Sequence, residues 1–117
     1  MPGKVLLLSG RNMAYKLIRS QKFDLELEEK ILYLLVEKQA EQGASHLADE
    51  VENIYSRLQE NPGQFPYCRN RMLKKKGYKK AILSGMDYVI LFKVDEGKKE
   101  VHIDGIFHDL EDYKKKI

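Results

Sequence analysis

Seven basic residues, Arg69, Arg71, Lys74, Lys75, Lys76, Lys79 and Lys80, fall between positions 61 and 83, and that stretch holds no acid. Concentrated cations attract phosphates, because each neutralised phosphate releases counterions. A lysine-rich loop is also what an ordinary solvated surface looks like. The complete absence of Asp and Glu is what favours a polyanion or an acidic protein as its partner. By simple alternation along a strand, His102, Asp104, Ile106 and His108 share one face, and Val101, Ile103 and Phe107 share the other. Three prospective ligands along one strand make a weak metal pattern, and neither a metal nor any other cofactor is expected. His46 stands at a helix start and reads as surface. Cys68 lies beside Arg69, which would lower its thiol pKa, but no histidine or asparagine accompanies it as a thiol nucleophile requires. The remaining capacity for acid–base chemistry rests on His108, on the lysines, and on Tyr113 five residues further along.

Those residues sit in a chain of 117 residues, 43% hydrophobic and 33% charged, the balance of one globular domain rather than a disordered chain. The net charge of +3 conceals segregation: residues 1–23 carry +5, 24–60 carry −7, 61–83 carry +7 and 84–117 carry −2. The longest aliphatic run, Val5–Leu8, is far short of the roughly 20 residues that cross a membrane. It is also too short for a secretory signal, and Ser9-Gly10-Arg11-Asn12 does not resemble a cleavage site. A single cysteine excludes an internal disulfide, so a cytoplasmic protein with no membrane partner is expected.

The elements that must position the basic residues follow from periodicity. Residues 1–12 read as an N-terminal extension: an upstream start, a remnant of expression, or an extra strand through Val5–Leu8. The domain is expected to occupy 13–117. The alternation Ala14-Tyr15-Lys16-Leu17-Ile18-Arg19 predicts a first strand. Leu27, Ile31, Leu34 and Leu35 then mark one face of a helix, with Asp24 as N-cap and Gly43 as its end. Leu47, Val51, Ile54, Tyr55 and Leu58 mark a second helix, capped by Ser45 and stopped by Asn61-Pro62-Gly63. A loop over 62–76 follows, with Phe65 and Tyr67 anchoring it to the core. Three strands come next, over Tyr78–Ser84, Asp87–Asp95 and Val101–His108, and then a polar tail. The fold class is α+β in the order β-α-α-β-β-β, a small antiparallel sheet with a helical hairpin packed on one face and the other face open.

Several local strings in this order resemble a known family. Tyr15-Lys16-Leu17-Ile18 enters a helix beginning Phe23-Asp24-Leu25-Glu26, and Leu58-x-x-x-Pro62 leads to Phe65-Pro66. Gly77-Tyr78-Lys79-Lys80 opens a strand, followed by Asp87-Tyr88-Val89-Ile90-Leu91-Phe92-Lys93-Val94-Asp95. The end reads Val101-His102-Ile103-x-x-Ile106-x-His108-x-x-x-Asp112-Tyr113. Together these resemble the RelE/ParE superfamily of toxins from bacterial type II toxin–antitoxin, or plasmid stabilisation, modules, over Met13 to Ile117. The resemblance implies a cognate antitoxin as partner and one of two actions. RelE-like members are ribosome-dependent mRNA endonucleases; ParE-like members are not nucleases and act on DNA gyrase. A further alternative is a divergent member that retains only antitoxin binding. For the nuclease, attack by a ribose 2′-hydroxyl needs a base, an acid and cationic stabilisation of the phosphorane. For those tasks the sequence offers Lys79 and His108, which fall at positions the family uses, and Tyr113, while the acid-free block supplies Arg69, Arg71, Lys74, Lys75, Lys76 and Lys80 for binding nucleic acid or antitoxin. Lys79 stands where the family commonly has arginine, and Val89 stands where RelE-like sequences commonly aim an arginine at the substrate. The sequence favours the endonuclease reading, with gyrase inhibition as the alternative.

Overall fold

The computed structural model describes residues 14–108 and the backbone of 4–6. Five strands form one sheet in the order β1-β2-β5-β4-β3. They are β1 (Lys4–Leu6), β2 (Lys16–Arg19), β3 (Lys79–Ile82), β4 (Tyr88–Asp95) and β5 (Glu100–His108). β3, β4 and β5 are consecutive antiparallel neighbours, as their tight turns require. β2 runs parallel to β5, with Leu17 opposite Val101, so the sheet is mixed rather than wholly antiparallel. Sequence alternation locates a strand but does not say which distant strand it joins. β1 pairs antiparallel with β2, placing Val5 opposite Ile18.

Two helices, α1 (Gln21–Leu32) and α2 (Glu41–Glu60), cover one face. α2 buries the predicted stripe of Leu47, Val51, Ile54, Tyr55 and Leu58 against Leu17, Ile90, Phe92, Val101, Ile103 and Ile106. Each large side chain fully buried in this way contributes about 1.5–3 kcal/mol. α1 begins three residues before Asp24, because Ser20 is the cap: its Oγ accepts from the Phe23 N–H at 3.0 Å. The Ser20 N–H also donates to the Ile103 carbonyl at 3.0 Å, so the sheet itself decides where the helix starts. Asp24 instead forms a loose 3.5 Å ion pair with Arg19.

The link between the helices also departs from expectation. α1 passes into a π-helical turn, Tyr33–Glu37, and Gln39 takes a positive φ of 49° before α2 begins at Glu41. Gly43 and Ser45 therefore lie inside the first turns of α2 instead of bounding the hairpin. Leu35 lies within this wider turn, which carries it out of the apolar stripe to 41% exposure.

Tyr55 is buried in the main core, and its hydroxyl lies beside the Arg19 guanidinium without a well-formed hydrogen bond. Burial pushes its pKa up to about 12. The folded state therefore holds a proton that the unfolded chain releases above its ordinary pKa of 10. The Tyr55 contribution is complete below pH 10 and is lost as pH rises to about 12. Tyr55→Phe is expected to leave stability at pH 7 unchanged or slightly higher, since it removes an orphaned polar atom. It should also flatten the alkaline decline, by up to about 3 kcal/mol. Thermal melts of both proteins at pH 8 and pH 11 measure this; an equal alkaline loss in the two would refute it.

Candidate functional site

The sheet face away from the helices is not open. Residues 66–78 fold across it as a lobe containing a five-residue helix, α3 (Arg71–Lys75), where sequence reading expected only a loop. A second core of Cys68, Leu73, Tyr78, Val89, Leu91 and Phe107 seals the lobe onto β4 and β5. Asn70 caps α3 through a 3.1 Å bond from the Leu73 N–H. Gly77, at φ +91°, then reverses the chain so that the Tyr78 N–H reaches the Leu73 carbonyl at 2.9 Å. The Cys68 N–H donates to the Tyr78 carbonyl and the Lys80 N–H to the Pro66 carbonyl, both at 3.0 Å. The signal for α3 was an Asn-x-x-Leu cap pattern hidden in a basic run.

The lobe gathers most of the predicted binding residues. Arg69, Arg71, Lys74, Lys75 and Lys76 are all exposed on it, and Lys80 is half-buried beside it on β3. Arg71, Lys74 and Lys75 surround Met72, which is 65% exposed, in an open cleft. Cys68 is buried beneath them. Burial pushes its thiol pKa up, outweighing the opposite pull of Lys80, so the basic loop does not activate it. Phe65 enters the main core as expected, stacking edge-on with Phe92 at 5.6 Å, whereas Tyr67 is half-exposed.

The residues assigned to acid–base work do not converge. Lys79 lies at the start of β3, opposite Phe92; its Nζ donates to the Phe65 carbonyl at 3.1 Å and rests 4.5 Å from the Tyr67 ring centroid. His108 ends β5, opposite Tyr88, two strands across from Lys79 and four residues along. That is roughly 13 Å along the strand before the two interstrand steps are added. Val89, where an arginine would act, is sealed in the second core. Tyr113 lies outside the described residues.

A bulge in β5 explains where His108 points. Phe92 pairs with Ile103 but Leu91 with Gly105, so Asp104 is the extra residue and the alternation inverts after it. Val101, Ile103 and Ile106 consequently share the main core, while Phe107 enters the second core. His102 and His108 are thus on opposite faces, contrary to simple alternation. Asp104 accepts from the Tyr78 hydroxyl at 2.9 Å, and His102 contacts Glu100 at 3.1 Å. Among the described residues no three His, Cys, Asp or Glu side chains are grouped to hold a metal ion. His108 instead packs edge-on against Tyr88 at 5.5 Å, in a recess with Glu29, Lys30, Tyr33 and Lys38 that sequence reading did not anticipate.

No described helix is long and apolar enough to cross a membrane. No curated protein matches the sequence. Among solved structures, a chain of the chromosomal ParDE toxin–antitoxin system from P. aeruginosa superposes with a TM-score of 0.62 at 17% identity, covering 81% of this chain and 96% of that one. A family described as the ParE toxin of the type II toxin–antitoxin system parDE matches residues 17–113, from the first core leucine of β2 to Tyr113. With the match running from β2 through β5 and taking in both long helices and the basic lobe, this chain belongs to the ParE toxin family.

Proposed function

We propose that this protein is a cytoplasmic toxin, neutralised by a cognate antitoxin, that stops growth by binding DNA gyrase rather than by cutting mRNA on the ribosome. The separation of Lys79 from His108 carries this reading. A general base and a general acid must both reach the reacting phosphate, and here one is tied to the Phe65 carbonyl while the other packs on Tyr88 at the far end of the sheet. The burial of Val89 supports it further, since no cation projects from that position toward a substrate. Binding requires surface rather than a catalytic constellation, and the lobe offers it. Arg69, Arg71, Lys74, Lys75, Lys76 and Lys80 form the surface we assign to an acidic antitoxin segment, which would order on contact with them.

Induction in a bacterial host tests the reading. The wild type and His108→Ala are expected to be equally toxic, to trigger the DNA-damage response, and to leave translation running at first. Purified protein should inhibit supercoiling by gyrase. Immediate translation arrest with cleaved mRNA, abolished by His108→Ala, would restore the endonuclease.

A further inference from the structure

We propose that copies of this chain associate head to tail, the basic lobe of one seating Met72 in an acid-rimmed apolar groove along α1 of the next. The contact does not depend on which target the toxin attacks. α1 carries more apolar surface than its own core consumes. Phe23 is buried in the main core, and Leu27, Ile31 and Leu34 pack against it. Leu25, Leu32 and Val36 follow one another at i, i+7 and i+11, and they are 55%, 50% and 65% exposed. A helix that is apolar on a second side needs a second packing surface, and apolar side chains exposed in a row mark an interface.

A groove of about 320 Å³ opens at Leu32, lined also by Arg19, Asp24, Leu27, Glu28 and Ile31. Arg19 is engaged by Asp24 at 3.5 Å, whereas Glu28 is exposed and forms no ion pair with another described residue. Such a groove takes an apolar side chain carried among cations. The chain itself presents one: Met72, in its cleft with Arg71, Lys74 and Lys75. None of these three cations forms an ion pair with a described residue. The unbranched thioether of methionine adapts to irregular apolar surfaces. Residues 24–60 carry −7 and residues 61–83 carry +7. Unlike surfaces therefore attract, while groove-to-groove and lobe-to-lobe pairing set like charges together. The lobe lies on one face of the sheet and α1 on the other, so the two cannot meet within one molecule. Each copy in a pair keeps one lobe and one groove free, and a contact of this kind runs on unless it closes into a ring. Association also hides the surface assigned above to the antitoxin, a consequence that alone rests on that reading.

Sedimentation velocity of the full chain across a concentration series tests the contact. The mean sedimentation coefficient should rise with concentration, at the micromolar-to-millimolar affinity of a small interface. Raising the salt from about 50 mM to about 500 mM should weaken association roughly tenfold through screening. A lobe variant, Met72→Glu with Lys74→Glu, and a groove variant, Glu28→Lys with Leu32→Lys, should each be monomeric. All four positions are exposed, and unchanged melting temperatures verify the fold. Mixed one to one, the two variants should form a dimer and nothing larger, because the mixture retains a single intact lobe–groove pair. The proposal fails if the wild type stays monomeric up to about 1 mM, or if either variant alone still associates. It fails equally if the mixture stays monomeric while the wild type associates, since copies would then meet through one shared patch. Lys98→Glu, in the turn between β4 and β5, controls for net charge: a loss of association as large as that of the lobe variant also overturns the proposal.

Discussion

Gly105→Ala is expected to lower the melting temperature by roughly 8–15 °C, because a single methyl group here costs about 2–3 kcal/mol through overpacking. A Cβ at this position would lie 2.5 Å and 2.6 Å from the Phe107 ring and 3.1 Å from Glu26 Oε1. Neither neighbour can retreat freely. Phe107 is only 1% exposed, wedged into the second core, with Lys22 Nζ 4.8 Å from its ring centroid. Glu26 Oε1 accepts the Ile106 N–H at 3.1 Å, so α1 satisfies the β5 edge just beyond the bulge. The added methyl therefore strains ring packing and edge capping together. If the ring is the main obstacle, Gly105→Ala should cost markedly less in a Phe107→Leu background, a coupling that a double-mutant cycle isolates. A loss below about 1 kcal/mol in the single variant would show that the ring yields readily.

Leu73→Ala is expected to cost about 2–4 kcal/mol, since Leu73 is nearly fully buried and the lobe rests on few other apolar contacts. The loss should be uneven across the molecule. The second core is much smaller than the main one, so the lobe should open before the sheet does. Hydrogen exchange reads this directly: the amides of Cys68, Tyr78 and Lys80, which tie the lobe to its own base and to β3, should lose protection first. The β4–β5 ladder should retain most of its protection. Uniform loss across both cores would mean that the lobe and sheet unfold as one unit. Opening the lobe also scatters Arg71, Lys74 and Lys75, so antitoxin affinity should fall although no basic residue has been changed.

The sequence was most legible where a local rule and the tertiary structure agree. β4 is rich in β-branched and aromatic residues, the turns around it are short, and its antiparallel pairing follows from that proximity. The α2 stripe was legible because all five of its predicted core residues face one large surface. The cap of α1 was less so: Asp24 and Ser20 are both good capping types, and the choice is made by the Ile103 carbonyl, a contact far away in the chain. The covered second face escaped notice because Cys68, Leu73 and Tyr78 are interleaved with bases and follow neither a helical nor a strand period. The placement of His108 was illegible for a different reason. A bulge shifts every later side chain by one position, and nothing in Ile103-Asp104-Gly105-Ile106 signals it except a glycine that has to lie beneath a phenylalanine. Alternation thus put His102 and His108 together when the sheet holds them apart.

The parallel pairing of β2 with β5 also bears on when this protein can first exist as a toxin. Ser20 and Asp104, joined by a side-chain bond at the cap of α1, are 84 positions apart. On a ribosome, β2 and both long helices emerge early, yet the strand that must lie beside β2 is the last of the described strands to be made. A nascent chain lacking Val101 and Ile103 has no central sheet on which α2 can bury its apolar stripe. Long-range pairings of this kind form late, after the entropy of closing a large loop has been spent. The order of strands therefore delays the folded, harmful state until β5 has emerged, and gives a partner already in the cell the interval from β2 to β5 in which to meet the chain.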